Sequence, residues 1–151
     1  MRATAHARPV QAGDAEALAA SMRDADVAEV LASGFSDPLQ ALRLSLEASG
    51  FAFAVELGGQ LACLGGVQNT QPDSTVWLLT GAAVDRHRRA FWMESKRVIR
   101  ALLAGRSPLV NRIDSRYQES LRWARRLGAE IGPPSVQGVE RVPFCPATWS
   151  L

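Results

Sequence analysis

Three arginines, Arg86, Arg88 and Arg89, crowd the start of the stretch VDRHRRAFWMESKR, where an apolar run gives way to a helical pattern. Guanidinium groups bind phosphate bidentately, and a helix start presents unpaired N–H groups and a dipole that favours anions. These residue types suit anion binding. The same stretch holds residues that oppose it. Asp85 is placed to cap the helix with its own carboxylate, Trp92 adds a large ring, and Glu94 adds a negative charge. The competing reading is a solvated helix entry with Phe91 and Trp92 in the core.

Other reactive types are scattered. Asp85 and Asp114 read as cap or turn residues. His6 and His87 are far apart and lack the company of a metal site, so no metal is expected. Cys63 and Cys145 have no paired spacing and read as buried, inert thiols. No Ser-His-Asp arrangement or Walker-type loop is present. A second basic group, Arg116, Arg122, Arg125 and Arg126, follows the first.

The elements that must position these groups belong to a chain of 151 residues, with 47% hydrophobic and 21% charged residues. That is the size and composition of one globular domain. A net charge of +2 does not by itself name a nucleic-acid partner. No apolar run approaches the roughly 18 residues of a membrane span. The opening MRATAHARPV lacks the apolar core of a secretory signal, which implies cytoplasmic synthesis.

Ala5 to Val10 reads as a strand. Two short helices follow, with Asp14 and Asp24 as N-caps and Gly34 as the stop. A third helix begins with Ser36 or Asp37 as cap and Pro38 in its first turn, and ends at Gly50. FAFAVELGGQLACLGGVQ is a β-hairpin turning at Gly58-Gly59. TVWLLTGAAV, Thr75 to Val84, reads as a strand covered on both faces. A helix over Arg86 to Ala104 comes next, then a strand in PLVNRID, a helix in SLRWARRLG closed by Gly128, and a final strand in VERVPF. The order predicts one α/β domain spanning 1–151. The last residues, 145–151 in FCPATWSL, carry Trp149 and Leu151 and read as a docking tail, with Trp149 as an interface anchor.

The segment LVNRIDSRYQESLRWARRLGAEI resembles the last block of the Gcn5-related N-acetyltransferase (GNAT) fold. Its helix-ending pair falls on Gly128-Ala129, whereas the family's Asn, Ala and Tyr positions hold Tyr117, Ser120 and Ala124. MRDADVAEV, WLLTGAAVDRHRRAF and the closing PF extend the likeness, more narrowly, to small phage proteins with a GNAT-like fold, among them an internal virion protein of short-tailed phages. The resemblance implies a central mixed, mostly antiparallel sheet flanked by helices. It also implies a pyrophosphate site at the helix after the central strand, with Val84, Arg88, Arg89 and Ala90 as the coenzyme-binding candidates. The family's glycines there are replaced by Ala90, Trp92 and Glu94. No residue is assigned as catalytic, although Glu56, at a hairpin strand end that faces the acceptor cleft in this fold, is the candidate base.

With those positions lost, the resemblance implies a non-enzymatic virion or assembly protein that needs no cofactor. Its partners would be other virion proteins or a second copy, with weak DNA contact, and it would be made in the bacterial host and carried in the virion. Arg86, Arg97, Arg125 and Trp149 would form its interface. The alternative is an N-acetyltransferase that uses acetyl-CoA.

Overall fold

The computed structural model describes residues 4–70, 72–106 and 108–151. The elements run β1 (Ala5–Arg8), α1 (Asp14–Ser21), α2 (Asp24–Ala32), α3 (Pro38–Ala48), β2 (Phe51–Leu57), β3 (Gln60–Asn69) and β4 (Ser74–Thr80). They continue α4 (Ala83–Arg86), α5 (Arg88–Gly105), β5 (Leu109–Asp114), α6 (Gln118–Arg126), β6 (Glu130–Ile131) and β7 (Phe144–Trp149). The strands form one sheet in the order β1-β2-β3-β4-β5-β7-β6. Every pairing is antiparallel except β4 with β5.

Alternation along the strands feeds two cores. On one face Leu18 of α1, Val30 of α2 and Leu42 of α3 pack on Ala54, Leu64, Trp77 and Leu79. On the other, Ile99 and Leu102 of α5 and Leu121 and Ala124 of α6 pack on Phe53, Val55, Val76 and Ile113. β4 supplies both sides, as its nearly continuous apolar run predicts. Several local signals act as expected. Asp37 caps α3 by accepting from the Gln40 N–H at 2.8 Å, with Pro38 in the first turn. The hairpin turns at Gly58 and Gly59, both at positive φ.

Four expectations need correction. β4 stops at Thr80 instead of continuing to Val84, because the following residues are claimed elsewhere. Gly81 bridges to Met22, and the Ala82 N–H donates to the Ser21 carbonyl at 2.9 Å, which turns Ala83–Arg86 into α4. Asp14 and Asp24 are not caps. They are the first helical residues behind Gly13 and Arg23, and Asp14 is held by Arg8 at 2.8 Å.

The final strand is not VERVPF but Phe144–Trp149, the stretch read as a docking tail. It lies inside the sheet between β5 and β6, and Trp149 is 2% exposed within the core beneath α5 and α6. A side chain so enclosed does not serve as an interface anchor. Pro146 is tolerated in this interior strand because its carbonyl faces Gly132, accepting that N–H at 2.9 Å. Its nitrogen, which carries no hydrogen, faces the same side, and the ladder to β5 loses nothing.

The sheet carries one tight contact with a clear consequence. A Cβ at Gly66 would stand 2.7 Å from the Phe51 carbonyl oxygen and 2.8 Å from Trp77 Nε1, the indole that donates to Ser49 at 2.7 Å. Backbone cannot give way cheaply, and overpacking of this kind costs about 1–3 kcal/mol. Gly66→Ala is therefore expected to lower the melting temperature by roughly 2–10 °C at this chain length. An unchanged thermal melt would remove the basis for this contact.

Candidate active site

β4 and β5 pair through only Ser74↔Leu109 and Thr75↔Val110, and then diverge. The carboxyl end of parallel strands is where α/β sheets open a crevice. Here the divergence leaves a cavity of about 350 Å³. Leu78 and Thr80 line it from β4, Asn111 and Ile113 from β5, and Trp92 and Trp123 from the helices above.

Strands that part leave backbone donors without partners, and buried donors must be satisfied. α2 meets that need on both sides. Asp26 accepts from the Thr80 N–H at 2.5 Å and from the Thr80 hydroxyl. Glu29 accepts from the Asp114 N–H at 3.0 Å, at the end of β5. The two carboxylates stand three residues apart on one helix face, so one short helix bridges the opening.

Arg23, the residue before α2, ties down the rest. Its guanidinium donates to the Tyr117 hydroxyl at 3.2 Å and to Glu119 at 2.9 Å, and pairs with Asp85 at 3.1 Å. Arg88 closes the ring, with Glu119 at 2.8 Å and Asp85 at 3.3 Å. Two cations and two anions thus link α2, α4, α5 and α6 at the rim.

The floor of the cleft favours bound protons. Part of the Glu29 residue reaches solvent, yet burial of its carboxyl group pushes its pKa up to about 8, with Asp26 and Asp114 adding to the rise. Burial also raises Asp26, which is 3% exposed, against the pull of its Thr80 and Tyr117 hydrogen bonds. Burial, then the neighbouring Asp26, pushes the Tyr117 phenol upward, so it keeps its proton at neutral pH. Glu29 gains or loses a proton in the range where amines are handled, and Tyr117 remains a donor.

The mouth is cationic. The Arg126 guanidinium lies 4.5 Å over the Trp92 ring, while Phe91 and Trp123 stack at 6.1 Å. Arg122 also lines the opening and has no carboxylate partner among the described residues. The start of α5 is open as well. His87 makes no side-chain cap, and the first intrahelical bond runs from the Phe91 N–H to the His87 carbonyl at 3.0 Å. The N–H groups of Arg88, Arg89 and Ala90 precede it. Asp85, expected as the cap, lies within α4 and spends its carboxylate on Arg23 and Arg88.

Among the sequence candidates, Val84 is buried in the cleft wall and Arg88 stands at the rim. Arg89 and Ala90 face the opposite side of α5, in a groove that Arg86 and Arg97 share. Arg125 is exposed on α6. Glu56 is not among the cleft-lining residues; it holds Arg8 at 2.5 Å. Arg23, Asp26 and Glu29 escaped sequence reasoning. Their one signal was Asp26 four residues before Val30, an acid on the stripe of α2 that faces the core. Tyr117, which stands at the family's Asn position, places its hydroxyl in this polar floor.

No model of a known protein family matches the chain, and no curated protein matches it. Solved structures do. A GNAT-family acetyltransferase from Bacillus anthracis superposes with a TM-score of 0.70 at 11% identity, over 97% of this chain and 93% of that one. An acetyltransferase from Agrobacterium tumefaciens strain C58 gives 0.69 at 16%, over 97% and 91%. The ribosomal-protein-S18-alanine N-acetyltransferase from Escherichia coli gives 0.67 at 10%, over 97% and 94%. The chain has the GNAT fold. The likeness is one of architecture, and it does not extend to the narrower resemblance to phage virion proteins.

The proton on Glu29 has a measurable signature. A carboxyl group whose pKa is raised in the folded state stabilises the protein fully below its unfolded value, near 4.5, and loses that contribution as pH rises through about 8. Glu29→Gln keeps an oxygen for the Asp114 N–H and cannot ionise. The melting temperature of Glu29→Gln relative to the parent is therefore expected to increase between pH 5 and pH 9. A constant difference across that range would show that Glu29 ionises as an ordinary surface carboxylate.

Proposed function

We propose that the protein is an acetyl-CoA-dependent N-acetyltransferase that works in the cleft between β4 and β5. The observation that carries this reading is the cleft itself: an opening of about 350 Å³ with Glu29 and Tyr117 on its floor and cations at its mouth. An amine acceptor must lose a proton, and a leaving thiolate gains from receiving one. Glu29 is the acceptor of the amine's proton as the new C–N bond forms and the C–S bond of the thioester breaks. Tyr117 is the donor to the departing sulfur, and Arg23 fixes its hydroxyl. Asp26 holds Thr80 and with it the end of β4.

The residues present fit the donor substrate. Arg122 and Arg126 flank the mouth beside the uncapped start of α5, a combination that suits phosphate groups. The missing glycines matter less than the sequence suggests, since residues 90, 92 and 94 lie within α5 instead of in a loop. Trp92 lines the cleft and leaves it open, and Glu94 is paired with Arg97. Similarity to solved acetyltransferases supports the same reading. The virion or assembly role rests on sequence resemblance alone, and its candidate anchor Trp149 lies in the core.

Acetyl-CoA is expected to bind at micromolar concentration, raising the melting temperature and changing tryptophan emission through Trp92 and Trp123. Arg122→Ala and Arg126→Ala should each weaken binding about tenfold, the scale of one lost charge-assisted contact. With a small amine acceptor, the rate should climb with pH to a plateau near 8, and Glu29→Gln should lose about 10²–10⁴-fold together with that limb. If saturating acetyl-CoA moves neither the melt nor the fluorescence, the proposal fails.

A further inference from the structure

The face of α5 turned away from the cleft carries a second feature that acyl transfer does not use. A groove of about 780 Å³ runs along it, lined by Arg86, Arg89, Lys96, Arg97 and Arg100. One carboxylate, Glu94, stands among these five permanent cations and is bonded to Arg97. The groove thus holds an excess of four positive charges on a chain whose net charge is +2, so the remainder of the molecule is net negative. Arg89 and Arg100 have no ion-pair partner among the described residues, and Arg86 bonds only the neutral side chain of Gln60.

The spacing is that of one helix face. Positions 89, 93, 96, 97 and 100 recur at three- and four-residue intervals, and the cations among them span about 16 Å along a rigid helix. Duplex DNA repeats its phosphates every 3.4 Å along each strand, so this length matches about five base-pair steps. Four of the five cations are arginines, whose planar fork suits phosphate oxygens.

The groove is lined by no Phe, Tyr or Trp, and its one ring is the small imidazole of His87. A single strand would need rings on which to stack its bases, and a protein partner would need a buried apolar anchor. The only large apolar group offered is Met93. What remains is electrostatic attraction to a regular polyanion, which is how proteins grip a duplex without reading its sequence.

We propose that this face of α5 binds the phosphate backbone of duplex nucleic acid, without sequence preference. The proposal is independent of the acetyl-CoA reading, because the groove and the cleft lie on opposite sides of the helix. The test is fluorescence anisotropy of a labelled 20-base-pair DNA duplex titrated with the full chain at several salt concentrations. Binding is expected at micromolar concentration in 50 mM salt, with log K falling against log salt at a slope of about −3 to −4.5, the mark of three to five phosphate contacts. Lys96→Glu with Arg100→Glu should weaken it at least tenfold and flatten the slope by about two. The milder pair Lys96→Ala with Arg100→Ala, checked for the parent's melting temperature, should weaken it at least threefold. Arg125→Glu, on α6, should lose much less than either pair.

Three results would overturn the proposal: no binding at 50 mM salt, an Arg125→Glu loss as large as that of Lys96→Glu with Arg100→Glu, or competition by polyglutamate as effective as by unlabelled duplex. The last would assign the face to an acidic protein.

Discussion

Two parallel strands that separate expose backbone donors to a dry interior, and the architecture of this protein follows from how those donors are satisfied. Without α2, the ends of β4 and β5 would have to close on each other or admit water. Asp26 and Glu29 take the place of the missing strand neighbour, and their position fixes the width of the opening. Arg23 then binds that helix to α4 and α6. The cleft is held open by the same hydrogen bonds that give its floor its chemistry.

This economy has an electrostatic cost that the structure distributes unevenly. Buried carboxyl groups resist ionisation unless hydrogen bonds or cations offset the loss of water. Asp26 receives two hydrogen bonds from Thr80 and is drawn down further by Tyr117 and Arg23, whereas Glu29 receives one from the backbone and faces two other acids. Two acids of similar chemistry on one helix therefore end with different duties. Asp26 is a structural tie, and Glu29 holds a proton that it can exchange near neutral pH. At the rim the charges cancel pairwise, which leaves Arg122 and Arg126 as the cations offered outward.

Local chemistry made much of the fold legible. The Gly58-Gly59 turn, the Asp37-Pro38 helix start and the two-faced β4 each depend on residues close in sequence, and each was expected where it was found. Errors arose where a distant segment decided the outcome. β4 ends early because the junction of α1 and α2, some sixty residues away in the chain, takes the Thr80 carbonyl and the Ala82 N–H. Phe144–Trp149 becomes an interior strand because β5 offers a matching ladder, and no periodicity in a six-residue run containing Pro146 announces that. The site suffered most, since the burial of Asp26 and Glu29 depends on strands that follow them in the chain. The start of α5 departs from a motif and so draws notice, whereas Asp26 and Glu29 belong to no motif at all.

The same sheet also limits what can be added to it. Its outer strands are the four residues of β1 and the two of β6, and beside β6 the adjoining Pro146 has no N–H to offer. A foreign strand gains by forming a long run of backbone hydrogen bonds, and short or interrupted edges deny it that run. A seven-stranded sheet with a nearly continuous apolar centre would otherwise be a template for fibrous growth. By ending in fragments on both sides, it keeps its long strands inside and its aggregation surface small.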